Sequence, residues 1–424
     1  MGAALIINWN MVRREVFASI VGMLCIGVVV PVARANGRLE REGSARVSAT
    51  YNKNPDDVDL YPNRYESSDQ VLVRESLKFR GPRSLRFEFN AYMLAINSSD
   101  RTSLAQTVLN TSDEVNRASA LDLHWYRGSK IDGYLTIDRI NMRGKIAGAE
   151  VTVGRFPVNL TTMAIFTPND FFAPYRPTDF YRDYKPGVDA VRVDHSLGKK
   201  GQISAIGVVG YATPQLVSRV GETNHGSNRF SASNSSALVR ASRTWRGFEF
   251  AAFAGKLATN NVVGATVQGE VGPVGLRGEM NQKFSRETTG LNHAAGAIGA
   301  DYRLNSKLVI TVEQFYNQAG HADASGYVHL AESPPTSPIL GRLYTGLAGL
   351  YDITPLIHLR SLLVANDGDQ SLIGVFQLTY SVTERLELGL AALAPYGPPP
   401  NQFLPKSEFG SYPAVISVQA SRFF

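Results

Sequence analysis

The sequence predicts an all-β protein, a transmembrane antiparallel up-and-down β-barrel of about 18 strands, with about 16 to 20 as the range. Three observations predict this class: an N-terminal secretion signal, a hydropathy pattern with a period of two, and connections that alternate between short and long. The expected barrel has short turns at its periplasmic end and long loops at its extracellular end.

The N-terminal 35 residues are typical of a cleaved signal peptide. Met11–Arg14 is basic, Val16–Val32 is apolar, and Ala33–Ala35 has the small-x-small pattern that precedes a cleavage site. The apolar run is short for a membrane-spanning helix, which needs about 20 residues, so an N-terminal anchor is the less favoured alternative. We therefore expect 1–35 to be removed and 36–424 to form a single barrel domain.

Composition excludes several other classes of protein. The one cysteine, Cys25, lies inside the predicted signal, which excludes disulfide scaffolds and cysteine metal sites from the rest of the chain. Charged residues make up 19% of the chain and the formal net charge is +6, without a basic run that has interleaved aromatic residues. We therefore expect no nucleic-acid partner.

Hydropathy alternates from residue to residue in segments of about ten residues, which is typical of barrel strands with apolar side chains toward lipid. The segments 84–96, 273–283 and 369–382 show the pattern clearly. A large soluble β-sandwich or propeller is the alternative, and the prolines weigh against it. Proline breaks the hydrogen-bond ladder of a central strand, and every proline after residue 35 falls in a predicted turn, loop or strand end.

Every second connection between the predicted strands is short, as expected when both termini of an even-stranded barrel lie in the periplasm. Splitting 118–142 at Arg127-Gly128 would make the count odd, so this stretch is interpreted as one long, irregular strand. An amphipathic last strand that ends in Phe424 resembles the segment read by the machinery that inserts outer-membrane barrels. The predicted strands are 44–53, 70–79, 84–96, 118–142, 148–157, 188–196, 201–211, 235–244, 247–258, 262–271, 273–283, 292–304, 306–318, 341–353, 356–366, 369–382, 384–394 and 412–424.

The segment 151–193 stands apart from the generic barrel pattern. Its Gly154-Arg155 strand end, its Pro168-Asn169-Asp170-Phe171-Phe172 loop and its Lys185-Pro186-Gly187-Val188-Asp189-Ala190 strand start resemble a segment shared by porin-like outer-membrane barrels of Gram-negative bacteria. The chain departs from that pattern at Phe156, where glutamine is usual, and at Pro168-Asn169-Asp170, where Asn-Pro-Thr-Asp is commoner. The resemblance covers about a tenth of the chain and implies a barrel class, without implying a substrate.

The loop 158–187 is the predicted functional element, because seven aromatic residues are too many for a solvated loop when each forgoes burial worth about 2 kcal/mol. Folded inward, it would narrow the lumen and act as a selectivity loop. A plug-like loop that stiffens the wall is the alternative. The predicted constriction has mixed charge and comprises Arg155, Asp170, Arg176, Asp179, Arg182, Asp183, Lys185, Asp189 and Arg192.

Parity along the strands also predicts charged side chains that face the lumen. Arginines outnumber acids slightly, which indicates a mild anion preference, but mutual pairing of these charges explains them equally well. The predicted lumen charges are Arg86, Glu88, Arg192, Asp194, Arg240, Glu270, Arg277, Glu279, Arg303, Glu313, His358 and Arg360.

Catalytic, cofactor and metal sites are not predicted. The seven histidines are scattered, without an i,i+4 pair beside an acid, and the chain has neither a Gly-Lys-Ser/Thr phosphate loop nor a nucleophile in a recognisable motif. We therefore expect no enzyme activity, no cofactor and no metal.

Two functions from different classes remain open. The first is a channel in the bacterial outer membrane, reached through the periplasm, for passive diffusion of small hydrophilic solutes. The second is a structural barrel that sheathes a cytochrome conduit or anchors a surface or motility assembly. The expected partners are outer-membrane lipid, lipopolysaccharide and the barrel-insertion machinery, and a periplasmic or surface protein partner is left open.

Overall fold

The structure, a computed structural model, describes residues 37–57, 61–99, 116–172, 184–212, 227–287, 290–331, 339–401 and 404–424. The predicted signal peptide lies outside the described residues. Among the described residues, no helix has the length and hydropathy needed to cross a bilayer.

The described chain is built almost entirely of β-strands, joined by four short 3-10 helices at Pro82–Ser84, Ser119–Leu121, Ala324–Ala331 and Phe409–Ser411. The strands are β1 (Arg38–Lys53), β2 (Tyr65–Arg80), β3 (Arg86–Ser98), β4 (Asp122–Arg127), β5 (Ile131–Ile146), β6 (Ala149–Phe156), β7 (Val188–Leu197), β8 (Gly201–Val208), β9 (Ser236–Trp245), β10 (Phe248–Leu257), β11 (Asn260–Val271), β12 (Val274–Ser285), β13 (His293–Arg303), β14 (Leu308–Asn317), β15 (Leu343–Thr354), β16 (Ile357–Asn366), β17 (Ser371–Thr383), β18 (Leu386–Tyr396) and β19 (Ala414–Phe423).

These strands close into an antiparallel barrel in which neighbours in sequence are neighbours in space. The last strand pairs with the first, with Ser44 opposite Phe423, so the sheet has no free edge. β3 pairs directly with β5, and the short extra strand β4 also pairs with β5. The closed wall therefore has 18 strands, which confirms the predicted fold class.

The prediction of one long strand over 118–142 is wrong. The chain forms β4 and β5 instead, with a turn at 128–130 in which the Gly128 N–H donates to the carbonyl of Ile131 at 2.8 Å. The later strands keep their predicted directions because β4 does not run the full height of the barrel wall. β4 pairs with the first half of β5, at 132–136, and β6 pairs with the second half of β5, at 140–146.

The barrel has a short-turn end and a long-loop end, as predicted. Two-residue turns such as Ala147-Gly148 have positive φ angles at both positions, 50° and 84°, which suit the twist of a β-hairpin. The connections at the short-turn end are 81–85, 147–148, 198–200, 246–247, 272–273, 304–307, 355–356 and 384–385. The long connections at the other end include 54–64, 157–187, 209–235, 318–342 and 397–413.

Side chains alternate between the inner and outer faces of each strand. On β12 the Met280 side chain points outward and is 61% exposed, whereas its neighbours Glu279 and Asn281 point inward and are buried. Buried apolar side chains inside the wall form two clusters, one centred on β6–β11 and the other on β13–β19. Residues 158–172, which follow β6, contribute to both clusters, so this part of the chain lies inside the barrel.

Candidate functional site

The candidate site is built around residues 157–172, which follow β6 and are named here the inner segment. Wall strands β10 to β15 contact it through inward-facing side chains, which places it against the inner face of that part of the wall. Of the predicted loop 158–187, residues 173–183 lie outside the described residues. The inward fold of the whole loop therefore stays a prediction, and only the inner segment is described below.

A single carboxylate on β14 holds the middle of the inner segment. Glu313 accepts hydrogen bonds from the backbone N–H groups of Ala164, Ile165 and Phe166 at 2.8, 3.0 and 2.9 Å. The Glu313 side chain is buried. Three converging N–H donors replace the water that a carboxylate would otherwise bind, so the backbone of the segment satisfies this buried side chain.

A second carboxylate, on β12, holds both flanks of the same stretch. Glu279 accepts hydrogen bonds from the Thr161 hydroxyl at 2.7 Å, from the Thr162 N–H at 2.8 Å and from the Asn169 N–H at 3.0 Å. Beside it, the Asn281 side chain donates to the carbonyl of Pro168 at 3.0 Å. The two glutamates thus fix the path of 161–169 along the wall.

Apolar contacts reinforce these polar anchors in the middle of the inner segment and near its C-terminal end. Phe166 stacks on Phe315 of β14 with ring centroids 5.2 Å apart, and it also contacts Tyr344 of β15. Nearer β6, Phe171 packs against Phe253 of β10 at 5.8 Å. Such aromatic pairs contribute about 0.5–1.5 kcal/mol each beyond the area that they bury. Of the aromatic residues that suggested an inward loop, Phe166, Phe171 and Phe172 are packed inside the barrel, whereas Tyr184 is 43% exposed.

The base of the inner segment is held by an ion pair between β6 and β7. The fully buried Arg155 guanidinium donates to both carboxylate oxygens of Asp189, at 2.7 and 3.1 Å. It also donates to the carbonyls of Ile137 at 3.0 Å and Ala118 at 2.9 Å. We name Arg155 and Asp189 the base latch, because they join the two strands where the chain leaves the wall and returns.

Residues 116–127 fill the position in the wall that β6 leaves when it turns inward after Phe156. The Asp189 N–H donates to the carbonyl of Asn116 at 3.0 Å, and the Ala118 N–H donates to the Asp189 carboxylate at 2.7 Å. Arg117 donates to the carbonyl of Gly187 at 3.3 Å. The segment that leads into β4 therefore completes the ladder beside β7, which explains why the chain forms an extra strand here.

The structure brings some of the predicted constriction residues together and separates others. Asp170 and Lys185 form a buried ion pair between the inner segment and the start of β7. Arg192 pairs with Asp194 at 2.9 Å on the partly exposed inner face of β7, and Arg155 and Asp189 form the base latch. Four others lie outside the described residues, namely Arg176, Asp179, Arg182 and Asp183. Whether these nine residues form a constriction stays a prediction.

Several predicted lumen charges lie in ion pairs on the inner wall. Glu88 pairs with Arg139 at 3.1 Å, and Arg277 pairs with Asp301 at 2.6 Å. Arg240 likewise pairs with Glu249 at 3.1 Å. Parity placed Glu279 and Glu313 toward the interior but did not reveal their role. The sequence did not predict Arg74 and Asp138 as charges of the inner wall. Their positions relative to other charges become apparent only in the folded barrel.

A buried polar cluster lies at the long-loop end, between β15, β16 and the loop 397–413. Glu408 accepts hydrogen bonds from the Tyr344 hydroxyl, from the Asn366 side chain at 2.8 Å and from the Leu340 N–H at 3.0 Å. Burial raises the pKa of Glu408 to about 7; the hydrogen bonds from Tyr344, Leu340 and Asn366 lower it, and the negative charge of Asp369 raises it. This cluster ties three loops to one another over the inner wall.

Comparison with known proteins finds related structures but no matching family model and no matching curated protein. The chain is similar to Acinetobacter baumannii OccAB3, with a TM-score of 0.56 and 12% identity over 91% of this chain and 99% of that one. Pseudomonas aeruginosa OccK7 (OpdD) gives 0.54 and 10% over 92% and 99%, and Acinetobacter baumannii OccAB4 gives 0.52 and 9% over 91% and 98%. At these identities the likeness shows a shared barrel fold, and it supports the predicted resemblance to porin-like barrels at the level of the fold.

Proposed function

We propose that this chain is an outer-membrane channel through which small hydrophilic solutes diffuse passively. The observation that carries the proposal is the anchoring of the inner segment by Glu279 and Glu313 inside a closed 18-stranded wall. A segment held at a fixed distance from one side of the wall would narrow the lumen reproducibly, which a selective channel requires.

The character of the inner wall supports passage of polar solutes. Inward-facing positions of β1 and β2 carry Arg46, Ser48, Arg74 and Lys78 rather than apolar residues. Arg74 lies over the Tyr184 ring, 4.3 Å from its centroid, at the point where the chain returns to the wall. A polar wall opposite the inner segment is what a water-filled path needs, whereas an apolar wall would favour a dry, plugged barrel.

The proposed selectivity is a mild preference for anions. Many inner-wall charges are neutralised in pairs, and Glu279 and Glu313 are occupied by backbone N–H groups. For the inward-facing Arg86, Arg303 and Arg360, in contrast, no carboxylate partner is found among the described residues. An excess of unpaired arginines raises the local concentration of anions in the lumen.

Single-channel conductance of the purified full chain in planar lipid bilayers tests the proposal. We expect discrete ion steps, a larger conductance after deletion of 163–183, and a broader distribution of step sizes in the double variant E279Q/E313Q. The control variant is E270Q, which removes an inward-facing carboxylate that does not contact the inner segment.

The absence of conductance in correctly folded protein, together with a stably co-purifying partner, would contradict the channel. Such a result would favour the structural barrel, which sheathes a cytochrome conduit or anchors a surface or motility assembly. If the conductance steps are identical in the wild type and in the deletion variant, the protein would still be a pore, but the deleted residues would not form its constriction.

A further inference from the structure

Asn52, near the end of β1, is fully buried on the inner face of the barrel wall, and neither its side-chain oxygen nor its nitrogen has a hydrogen-bond partner among the described residues. Buried carboxamides in folded proteins are almost always hydrogen-bonded, because an unsatisfied polar group keeps the whole cost of leaving water. Asn52 is therefore a position where a bound ligand would satisfy a polar group that finds no partner among the described residues.

Asn54, two residues further along, presents a second oxygen of the same kind. Its side-chain nitrogen donates to the Asn63 carbonyl at 2.7 Å and to Oε1 of Glu66 at 2.7 Å. Both donor hydrogens are used in these bonds, so the orientation of the carboxamide is set, and its buried Oδ1 atom has no hydrogen-bond partner. The carboxamide of Asn54 therefore presents its oxygen, rather than its nitrogen, on the side where no hydrogen-bond partner is found among the described residues.

Two carboxylates lie beside these carboxamides. The Asn54 N–H donates to the Arg64 carbonyl at 2.9 Å, which sets the register of the hairpin and places Glu66 of β2 opposite Asn52. The Tyr61 N–H donates to the Asp57 carbonyl at 2.8 Å, and the Asp57 and Glu66 side chains are both buried.

Tyr61 lies between the two carboxylates in the sequence, and its side chain is buried. The Tyr61 hydroxyl itself donates to the Ser411 carbonyl at 2.6 Å, which leaves it no proton to offer either acid.

We propose that Asn52, Asn54, Asp57 and Glu66 form a calcium site at the long-loop end of the barrel. All the ligands are oxygen atoms, which hard cations prefer, and the two carboxylates balance the charge of a divalent ion. Ca²⁺ takes six to eight oxygens in irregular geometry and completes its shell with water or backbone carbonyls, whereas Mg²⁺ demands a regular octahedron and dehydrates reluctantly. An incomplete set of four side chains therefore suits Ca²⁺ better.

The site has a structural consequence because of its position in the barrel. β1 is the strand that pairs with β19 to close the wall, and Tyr61 contacts Ser411 just before β19 begins. A bound ion ties the β1–β2 loop to the seam between the first and last strands. Calcium should therefore stabilise the closed barrel most strongly at this seam.

Terbium luminescence of the purified full chain tests the site, since Tb³⁺ substitutes for Ca²⁺ and Tyr61 lies near enough to sensitise its emission. We expect saturable emission that Ca²⁺ displaces with a dissociation constant of about 10⁻⁴–10⁻³ M and that Mg²⁺ displaces much less well. The variants E66Q and D57N should weaken binding by about tenfold or more. D69N, which removes an exposed carboxylate from the same strand, is the matched control and should bind like the wild type.

Heat-modified mobility on gels provides the second readout and shows whether each variant is folded. Ca²⁺ should raise the unfolding temperature of the wild type and of D69N, but not that of E66Q. Binding that survives in both E66Q and D57N, or that D69N weakens equally, would overturn the proposal by showing adventitious surface binding. A folded wild type without saturable binding would also overturn it, and an N52L variant of undiminished stability would then identify an ordinary buried cavity.

Discussion

The base and the middle of the inner segment are held by two different kinds of polar contact. At the base, the Asp189 carboxylate faces the Arg155 guanidinium, so opposite charges compensate each other. In the middle, the Glu313 carboxylate faces three backbone N–H groups, and no cation pairs with it among the described residues. The difference shows that Arg155 and Asp189 serve the junction with the wall, whereas the path of the inner segment depends on the distant glutamates Glu279 and Glu313.

The largest effect is expected when the base latch is broken. Replacing Arg155 by alanine leaves the partly buried Asp189 without this cation, and breaking a buried ion pair costs about 3–5 kcal/mol. We expect R155A to lower the free energy of unfolding in urea by about that amount. The variant R192A removes an arginine from a more exposed pair and serves as the control. Equal, small losses of unfolding free energy in R155A and R192A would show that the base latch stabilises the barrel no more than the more exposed pair does.

A second effect of comparable size concerns Glu408 in the loop 397–413, a buried side chain with which no cation pairs among the described residues. The folded pKa of Glu408, about 7, lies above its ordinary value of 4.5, so its stabilising contribution is complete below about pH 4.5 and is lost as the pH rises through about 7. We expect the stability of the wild type relative to E408Q to fall by up to about 3 kcal/mol across that window. Thermal unfolding of both proteins between pH 4 and 9 measures this difference, and parallel curves would contradict it.

A smaller effect is expected in the middle of the segment. In E313Q one carboxylate oxygen becomes an NH₂ group that opposes a backbone donor, which costs about 1–3 kcal/mol without removing the aromatic packing of Phe166. We expect the barrel to remain folded while limited proteolysis near 161–169 becomes faster. E270Q should behave like the wild type, and a proteolysis rate that is unchanged in E313Q would show that the apolar contacts alone hold the segment.

The arrangement of the barrel could be predicted from the sequence because its cause is local. Alternation of apolar and polar residues places a strand and its faces without knowledge of its partners, so the predicted bounds of strands such as 188–196 and 356–366 lie close to β7 and β16. The error at 118–142 has a tertiary origin. β4 exists because β6 leaves a gap in the wall, and a local pattern does not contain that information.

Predicting the site was harder because its partners are distant in sequence. Glu313 meets Ala164 across 149 positions of the chain, and Arg155 meets Asp189 across 34. Parity placed Glu313 toward the lumen, yet only the folded chain shows that it binds backbone N–H groups rather than solute or an arginine. The orphaned oxygen of Asn52 is likewise visible only when all the surrounding atoms are in place.

The sequence by itself determined that this chain is a barrel of about 18 strands with distinct ends and an unusual aromatic segment, because hydropathy with a period of two acts within each strand. The tertiary structure decided which charges hold the inner segment, where residues 116–127 complete the wall, and which polar groups lack partners among the described residues. Those properties depend on distances between strands that the closure of the sheet sets, and a one-dimensional pattern does not carry such distances.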